Sequence, residues 1–428
     1  MKTKLMCIIL MLAFALNLSA CGDSEENRNS YENGITIGAF QSEEDSSSEN
    51  KGNEGDSNNT VNQQKIGADE NAANASDNVQ SPVEVGSVNS SAFSGKVRGC
   101  YYADGNRIIV AADKLYLYDT QKGESVSSVD ISIEDLCVQT YAAGYFVVGQ
   151  GSGGSGNSSF VTSQDSSGII GYLLNNDFKI ENTISFSGLL SDDFVLGMAG
   201  VAISQDGKQI AFGGLRGLYL YNTSAGELST ILNYSEDGVA NNMQIMTIDS
   251  LAFTEDNTLV YTGTGTDSSN GGEGFSIYGT VSVDNGRLVI TRKADYEIEE
   301  MQKGGDLLVM PQVFNKNNGT LLMLDTASNT EKTIVFSSGS EGKDGVFCSQ
   351  QGRYVATSVL DGNNVTINIY DTASGKAIHT ETVKDSNSIY FLRVPQILIL
   401  DESNTCIVVL GRGIDEVSTL MTTFGFEG

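Results

Sequence analysis

The chain has 428 residues, and its 54 Asp and Glu residues outnumber its 25 Lys and Arg residues, which gives a formal net charge of -29. So negative a chain repels nucleic acid and anionic membrane surfaces, and we expect neither as a partner. Only one histidine is present, His379, so a metal site built from several histidines is excluded.

The first twenty residues have the pattern of a bacterial signal peptide. Lys2 and Lys4 precede an apolar run from Leu5 to Leu18. A helix that spans a bilayer core needs about 20 apolar residues, so this run is too short to span but suits a signal peptide. The run ends in Leu18-Ser19-Ala20-Cys21, which resembles the lipobox of bacterial lipoproteins. The resemblance implies cleavage after Ala20 and a lipid on Cys21. An ordinary secretory signal with a chance cysteine is the alternative.

The segment 21–82 is rich in Ser, Asn, Asp, Glu and Gly and poor in aromatic and branched apolar residues. Such a segment cannot bury enough apolar surface to offset its chain entropy, so we predict a disordered acidic tether. Together with the lipid on Cys21, it predicts a domain held outside the cytoplasm at the bacterial cell envelope, on the outer side of the cytoplasmic membrane or on the outer membrane.

Residues 83–428 repeat a pattern of short apolar strands and tight turns. A hairpin unit recurs seven times at spacings of 39 to 63 residues, as in VAISQDGKQIAF from Val201. Its turn positions are Gly105, Gly144, Gly207, Asn257, Gly305, Gly352 and Asn404. A second hairpin follows within the repeats, with an Asp-Thr or Asn-Thr turn, as in LYLYNTSAGEL from Leu218.

The sequence pattern of these hairpins resembles that of WD-repeat and YVTN-type seven-bladed β-propellers. No Trp is present, so the Trp-Asp dipeptide of WD repeats is absent. The resemblance implies an all-β fold of seven four-stranded antiparallel blades, with the first hairpin supplying strands a and b and the second supplying strands c and d. The seventh repeat ends after its third strand, and the segment 83–90 is the candidate for the missing strand. A pair of β-sandwiches is the rival architecture.

Three long insertions fall in b–c or d–a connections, which emerge on one face of a propeller. They begin at Gly149, Asn233 and Gly263, in or between blades 2 to 4. Long loops on a rigid scaffold often bind partners, so these insertions are the predicted binding loops. The alternative is that they have no partner. The candidate binding residues are Ser152, Asn157, Gln164, Asp237, Asn241, Asp267 and Asn270.

Catalytic and cofactor signals are weak. We predict no catalytic residues, no cofactor and no metal site. Two runs rich in oxygen-bearing side chains, Ser191–Asp193 and Asp361–Asn364, are interpreted as turns, and calcium binding by them is the alternative. His379 is expected on an outer strand. Four cysteines fall in the predicted propeller: Cys100, Cys137, Cys348 and Cys406. The sequence leaves open whether they form disulfides or stay free thiols.

Two classes of function remain. The first is a monomeric, non-enzymatic module that binds a protein, peptide or glycan. The alternative is a hydrolase or lactonase-like propeller enzyme with a divalent metal in its central channel.

Overall fold

The computed structural model describes residues 64–66, 93–94, 97–131, 133–151, 169–186, 189, 200–214, 216–237, 239–240, 243–254, 256–267, 274–283, 287–298, 301–311, 320–336, 345–361, 364–384, 396–412 and 418–428. The chain divides into two compact units, Met1–Asn62 and Gln63–Gly428, and every described residue belongs to the second. The predicted signal peptide, most of the predicted tether and the segment 83–90 lie outside the described residues. None of the described helices is long and apolar enough to cross a membrane.

The second unit is a seven-bladed β-propeller, as the sequence predicts. Blades 1 to 3 consist of four antiparallel strands each, taken in chain order: β2 (Gly99–Tyr102), β3 (Arg107–Ala111), β4 (Leu115–Asp119) and β5 (Glu124–Val129); β6 (Ile133–Tyr141), β7 (Gly144–Gly151), β8 (Ile169–Asn175) and β9 (Ile180–Ser185); β10 (Val201–Ile203), β11 (Gln209–Gly213), β12 (Gly217–Asn222) and β13 (Glu227–Asn233).

Blades 4 to 7 follow the same order. Their strands are β15 (Met243–Phe253), β16 (Leu259–Asp267), β17 (Gly274–Ser282) and β18 (Arg287–Lys293); β19 (Gln302–Gly304), β20 (Leu307–Met310), β21 (Thr320–Asp325) and β22 (Thr330–Val335); β23 (Gly345–Cys348), β24 (Tyr354–Asp361), β25 (Asn364–Asp371) and β26 (Ala377–Lys384); β27 (Gln396–Leu400), β28 (Thr405–Arg412) and β29 (Ser418–Gly425). The described part of blade 7 thus has three strands.

Three short elements are additions that the sequence did not predict. A one-turn helix, α1 (Tyr234–Asp237), and the strand β14 (Val239–Ala240) connect blades 3 and 4. The strand β1 (Gln64–Ile66) pairs in parallel with β22 on blade 5. These three residues fall in the segment that the sequence predicts to be a tether, and they pair with the outer edge of blade 5.

The core consists of seven apolar clusters of described residues, each between two neighbouring blades, including blades 7 and 1. Successive side chains of a strand point to opposite faces of its sheet. Ile108 of β3 therefore packs towards blade 7, and Ile109 packs towards blade 2. This burial on both faces explains why the b strands read as continuous apolar runs.

The recurring Asp-Thr and Asn-Thr pairs hold the turns of single blades. Asn222 Oδ1 accepts hydrogen bonds from the backbone N–H groups of Ser224 and Ala225, which forms the c–d turn. The next residue, Thr223, donates its hydroxyl to the carbonyl of Gly207 in the a–b turn, at 2.9 Å. Equivalent bonds to a–b turns are made by Thr120, Thr326 and Thr372. This repeated motif is therefore structural.

Glutamines on the first strands join neighbouring blades. Gln139 links blades 2 and 3, because its Oε1 accepts from Ile203 N at 3.0 Å and its Nε2 donates to Val201 O at 2.5 Å. Gln302 makes the same pair of bonds from blade 5 to blade 6, and Gln396 makes it from blade 7 to blade 1. First strands of neighbouring blades lie side by side, so they surround the axis.

Candidate functional site

The three insertions begin and end on one face of the propeller. Antiparallel pairing places the end of each b and d strand at the end of the blade where the a strand begins. The insertions after β7 and β16 and the connection after β13 all leave from these ends. We call this end the long-loop face and the opposite end, with the a–b and c–d turns, the tight-turn face.

Most of the candidate binding residues lie outside the described residues. Asp237 is the last residue of α1, and Asp267 is the last residue of β16, where it pairs with Met243 of β15. The others lie in undescribed parts of the loops: Ser152, Asn157, Gln164, Asn241 and Asn270. The assignment of all seven to a binding face stays a prediction.

Blade 4 is longer than its neighbour at the long-loop face. Its first two strands, β15 and β16, have 11 and 9 residues, whereas β10 and β11 of blade 3 have 3 and 5. The four extra residues of β16 extend the sheet by about 13 Å at the usual rise of a strand. The strand β14 pairs with the projecting end of β15.

Two β-bulges interrupt β15, between Ile245 and Thr247 and between Ile248 and Ser250. Glycines on adjacent strands allow this irregular backbone to approach closely. A Cβ on Gly263 would lie 2.1 Å from the Thr247 carbonyl oxygen, and one on Gly213 would lie 2.8 Å from the Ile248 carbonyl oxygen. Bulges redirect side chains and are common next to functional sites.

The bulges present Met246 and Asp249 to solvent. Met246 is 44% exposed, which is high for a large apolar side chain on an inner strand. Asp249 is also exposed, and Thr264 Oγ1 lies 3.5 Å from its Oδ2, at the long limit of a hydrogen bond. The sequence prediction singled out neither residue: it placed Met246 in the connection that begins at Asn233, whereas Met246 and Asp249 both belong to the long strand β15.

Surrounding protein raises the pKa of the Asp249 carboxyl above its ordinary value, because lost hydration disfavours the charged form. Hydrogen bonds from Thr247 and Thr264 oppose this shift only in part.

At the tight-turn face, side chains of blades 1 and 6 bond to other blades. The Tyr102 hydroxyl of blade 1 accepts from Ile399 N of blade 7 and donates to Cys348 O of blade 6, both at 2.8 Å. Gln350 of blade 6 donates from its side chain to Ala103 O of blade 1, and its carbonyl accepts from Gly305 N of blade 5. These bonds connect four of the seven blades directly.

A groove of about 520 Å³ lies between blades 3 and 4 on the tight-turn face, opposite the predicted binding face. Its lining includes Asp206, Asp256 and Val289. Hydrogen bonds from Thr254 and Thr258 lower the pKa of Asp256, so its carboxylate stays charged. Val289 is 63% exposed. Asp206 forms an ion pair with Lys208 at 3.0 Å.

The four cysteines are free thiols. Burial raises the pKa of Cys100 to about 12 and that of Cys348 and Cys406 above the ordinary value, so these three are unreactive. His379 is half-buried on β26, the outer strand of blade 6, where its ring stacks on Phe424 at 5.5 Å. This is the outer-strand position that the sequence predicted.

No group of three or more metal-binding side chains occurs in the described ranges. Ser191–Asp193 lies outside them. In the second oxygen-rich run, Asp361 and Asn364 pair at the ends of β24 and β25, as expected of a turn, and the two residues between them are undescribed.

Comparison with known proteins adds little. No protein-family model and no curated protein sequence matches the chain. Among solved structures, a similar one is Kuenenia stuttgartiensis hydrazine synthase, with 13% identity and a TM-score of 0.45 over 73% of this chain and 92% of that chain. The assignment of a seven-bladed β-propeller rests on the strand pairing and the interblade clusters of this chain itself.

Proposed function

We propose that this chain is a lipid-anchored, extracytoplasmic β-propeller that binds a protein or peptide partner on the long-loop face of blades 2 to 4. One observation carries the binding proposal: the projecting, doubly bulged strand β15 exposes Met246 on blade 4, at the face from which three insertions leave blades 2 to 4. An exposed methionine provides apolar contact area that adapts to the shape of a partner.

The charge of the chain favours a basic partner. A net charge of -29 attracts positively charged surfaces and accelerates their encounter with the propeller at low salt. It repels nucleic acid, which supports a protein or peptide as the partner rather than DNA or RNA.

The anchor is supported by the sequence Leu18-Ser19-Ala20-Cys21 and by the acidic segment that follows it. The test is Cys21→Ser in the native bacterium. We expect this variant to incorporate no labelled fatty acid and to leave the membrane fraction, while the wild-type chain does both. An unchanged membrane fraction and unchanged labelling would reject the anchor and favour an ordinary secretory signal.

The binding face is tested by partner capture from intact cells with matched variants. Met246→Asp places a charge on the proposed face, and Val289→Asp places the same charge at an exposed position of the tight-turn face. We expect Met246→Asp to reduce retention of a stoichiometric partner at least tenfold and Val289→Asp to leave it unchanged. Equal effects, or loss with Val289→Asp alone, contradict the proposal. Binding that survives protease treatment of the captured material identifies a glycan instead.

A further inference from the structure

We propose that β1 is a strap that docks the tether reversibly on the outer edge of blade 5. The docked strap makes the anchor arm, defined as residues 21–63, start at the tight-turn side of that blade. This inference rests on the proposed function, because it names the feature that keeps the start of the anchor arm away from the binding face.

The strap pairs with one particular sheet edge. The strand Gln64–Ile66 pairs in parallel with residues 332–334 of β22, the fourth and outermost strand of blade 5. Such an edge otherwise presents unpaired backbone N–H and C=O groups. Within the described ranges, no other blade has a strand added beside its fourth strand. Three residues are at the short end of strand lengths, so we expect the pairing to open and close.

The sequence around β1 suits addition to a sheet edge. Residues 57–68 (SNNTVNQQKIGA) contain no Asp or Glu, although both are frequent in the rest of the tether. They include Val61 and Ile66, and branched apolar residues favour strands, whereas Gly and Asp disfavour them. A stretch without acidic residues is also repelled less by a chain of net charge -29.

The direction of β1 decides where the anchor arm starts. As the fourth strand of its blade, β22 runs from the tight-turn face to the long-loop face. Because β1 is parallel to β22, Gln64 lies towards the tight-turn face and Ile66 lies towards the long-loop face. The anchor arm precedes Gln64 in the chain, so it starts at the tight-turn side. The three insertions leave the blades at the opposite face.

Docking also shortens the arm. About 43 residues lead from Cys21 to Gln64, and a flexible chain of that length spans about 36 Å on average. About 72 residues lead from Cys21 to Phe93, the first described residue after β1, and they span about 47 Å when the strap is open. The connection from Ile66 to Phe93 reaches up to about 90 Å, whereas a compact domain of this size is about 50 Å across. One molecule can therefore provide both the strap and the blade.

The first test is hydrogen exchange of the β22 amides that do not bond to β21, in the full chain. The double variant Gln64→Pro/Lys65→Pro removes two successive N–H groups, which point to opposite sides of a strand, and so prevents pairing. The matched control, Asn50→Pro/Lys51→Pro, makes the same kind of change outside β1. We expect the strap variant to speed exchange of these amides about tenfold or more and the control to match the wild-type chain.

The second test is disulfide formation, which checks the direction of the strap. Gln64→Cys with Lys332→Cys places cysteines at directly paired positions, whereas Ile66→Cys with Lys332→Cys places them two positions apart. Cα atoms two positions out of register are about 8 Å apart, beyond the about 7 Å that a disulfide spans. We expect the first pair to form an intramolecular bridge under mild oxidation and the second pair to form none.

Unchanged exchange in the strap variant would overturn the proposal, and so would preferential bridging of the second pair. Protection that falls when the wild-type chain is diluted would also overturn it, because a second copy would then supply the strand. If both tests give the expected result while Cys21→Ser leaves the membrane fraction and labelling unchanged, the strap stands and the lipid anchor is wrong.

Discussion

Gln396 of blade 7 bonds to both backbone groups of Cys100 in blade 1: its Oε1 accepts from Cys100 N at 3.0 Å, and its Nε2 donates to Cys100 O. The two residues are 296 positions apart in the chain. One side chain therefore joins the last blade to the first. This junction carries particular weight, because the described part of blade 7 lacks a fourth strand.

Gln396→Ala is expected to lower the free energy of unfolding by about 2 kcal/mol, because it removes two hydrogen bonds and leaves partly buried backbone groups unpaired. The measurement is urea unfolding followed by circular dichroism. Gln351→Ala is the matched control, since Gln351 is exposed and only its backbone N–H bonds to Asp401. Equal loss in both variants would show that Gln396 does not stabilise ring closure.

Gly352 and Gly226 have similar backbone angles but different surroundings. Their φ values are +77° and +70°, so alanine at either position is strained by about 1 kcal/mol. A Cβ on Gly352 would lie 2.3 Å from the Gly304 carbonyl oxygen, whereas the nearest atom to one on Gly226 is 3.8 Å away. We expect Gly352→Ala to cost at least about 3 kcal/mol and Gly226→Ala about 1 kcal/mol in thermal unfolding. Equal costs would contradict the close approach of blades 5 and 6.

The buried thiols make stability fall at high pH. Burial raises the pKa of Cys100 to about 12 in the folded chain, from an ordinary value of 9.0. Above pH 9 the thiol ionises in the unfolded chain only, so stability is full below pH 9 and is lost as the pH rises towards 12. The loss is about 1.4 kcal/mol per pH unit for this thiol.

Urea unfolding at pH 8 and pH 10 tests this linkage in the wild-type chain and in Cys100→Ala. We expect the difference in stability between the two pH values to be about 1.4 kcal/mol smaller in the variant. An identical pH dependence of both chains would show that the Cys100 thiol does not contribute.

The segment 83–90 is still predicted to complete blade 7. Phe93, three residues after it, packs in the same cluster as Met421 of β29, which brings the chain close to the outer edge of that blade. Deleting 83–90 is expected to speed hydrogen exchange of the β29 amides that face away from β28, while amides of β24 and β25 in blade 6 keep their protection. Unchanged exchange in β29 would mean that another segment, or none, covers this edge.

The turns and hairpins were predictable because their determinants are local. All seven a–b turn positions predicted from sequence have a positive φ, from +47° at Asn404 to +156° at Gly144, and glycine and asparagine are the residues that tolerate it. The Asp-Thr and Asn-Thr pairs are equally local, since each pair bonds to its own turn and to the neighbouring turn of the same blade.

The candidate site could not be predicted in the same way. Gln350 and Tyr102 read as ordinary turn and strand residues, and only closure of the ring brings them within hydrogen-bond distance of other blades. Asp249 is one of 54 acidic residues, and only the structure shows that it lies at a β-bulge of β15.

The sequence by itself determined the fold class, the seven repeats and the strand order within each blade, because strand alternation and turn geometry act over a few residues. The tertiary structure alone decided that Gln396 joins the last blade to the first and that Tyr102 and Gln350 join blades that are not neighbours. These properties depend on contacts between residues that are distant in the chain, and a single sequence carries no local signal for such contacts.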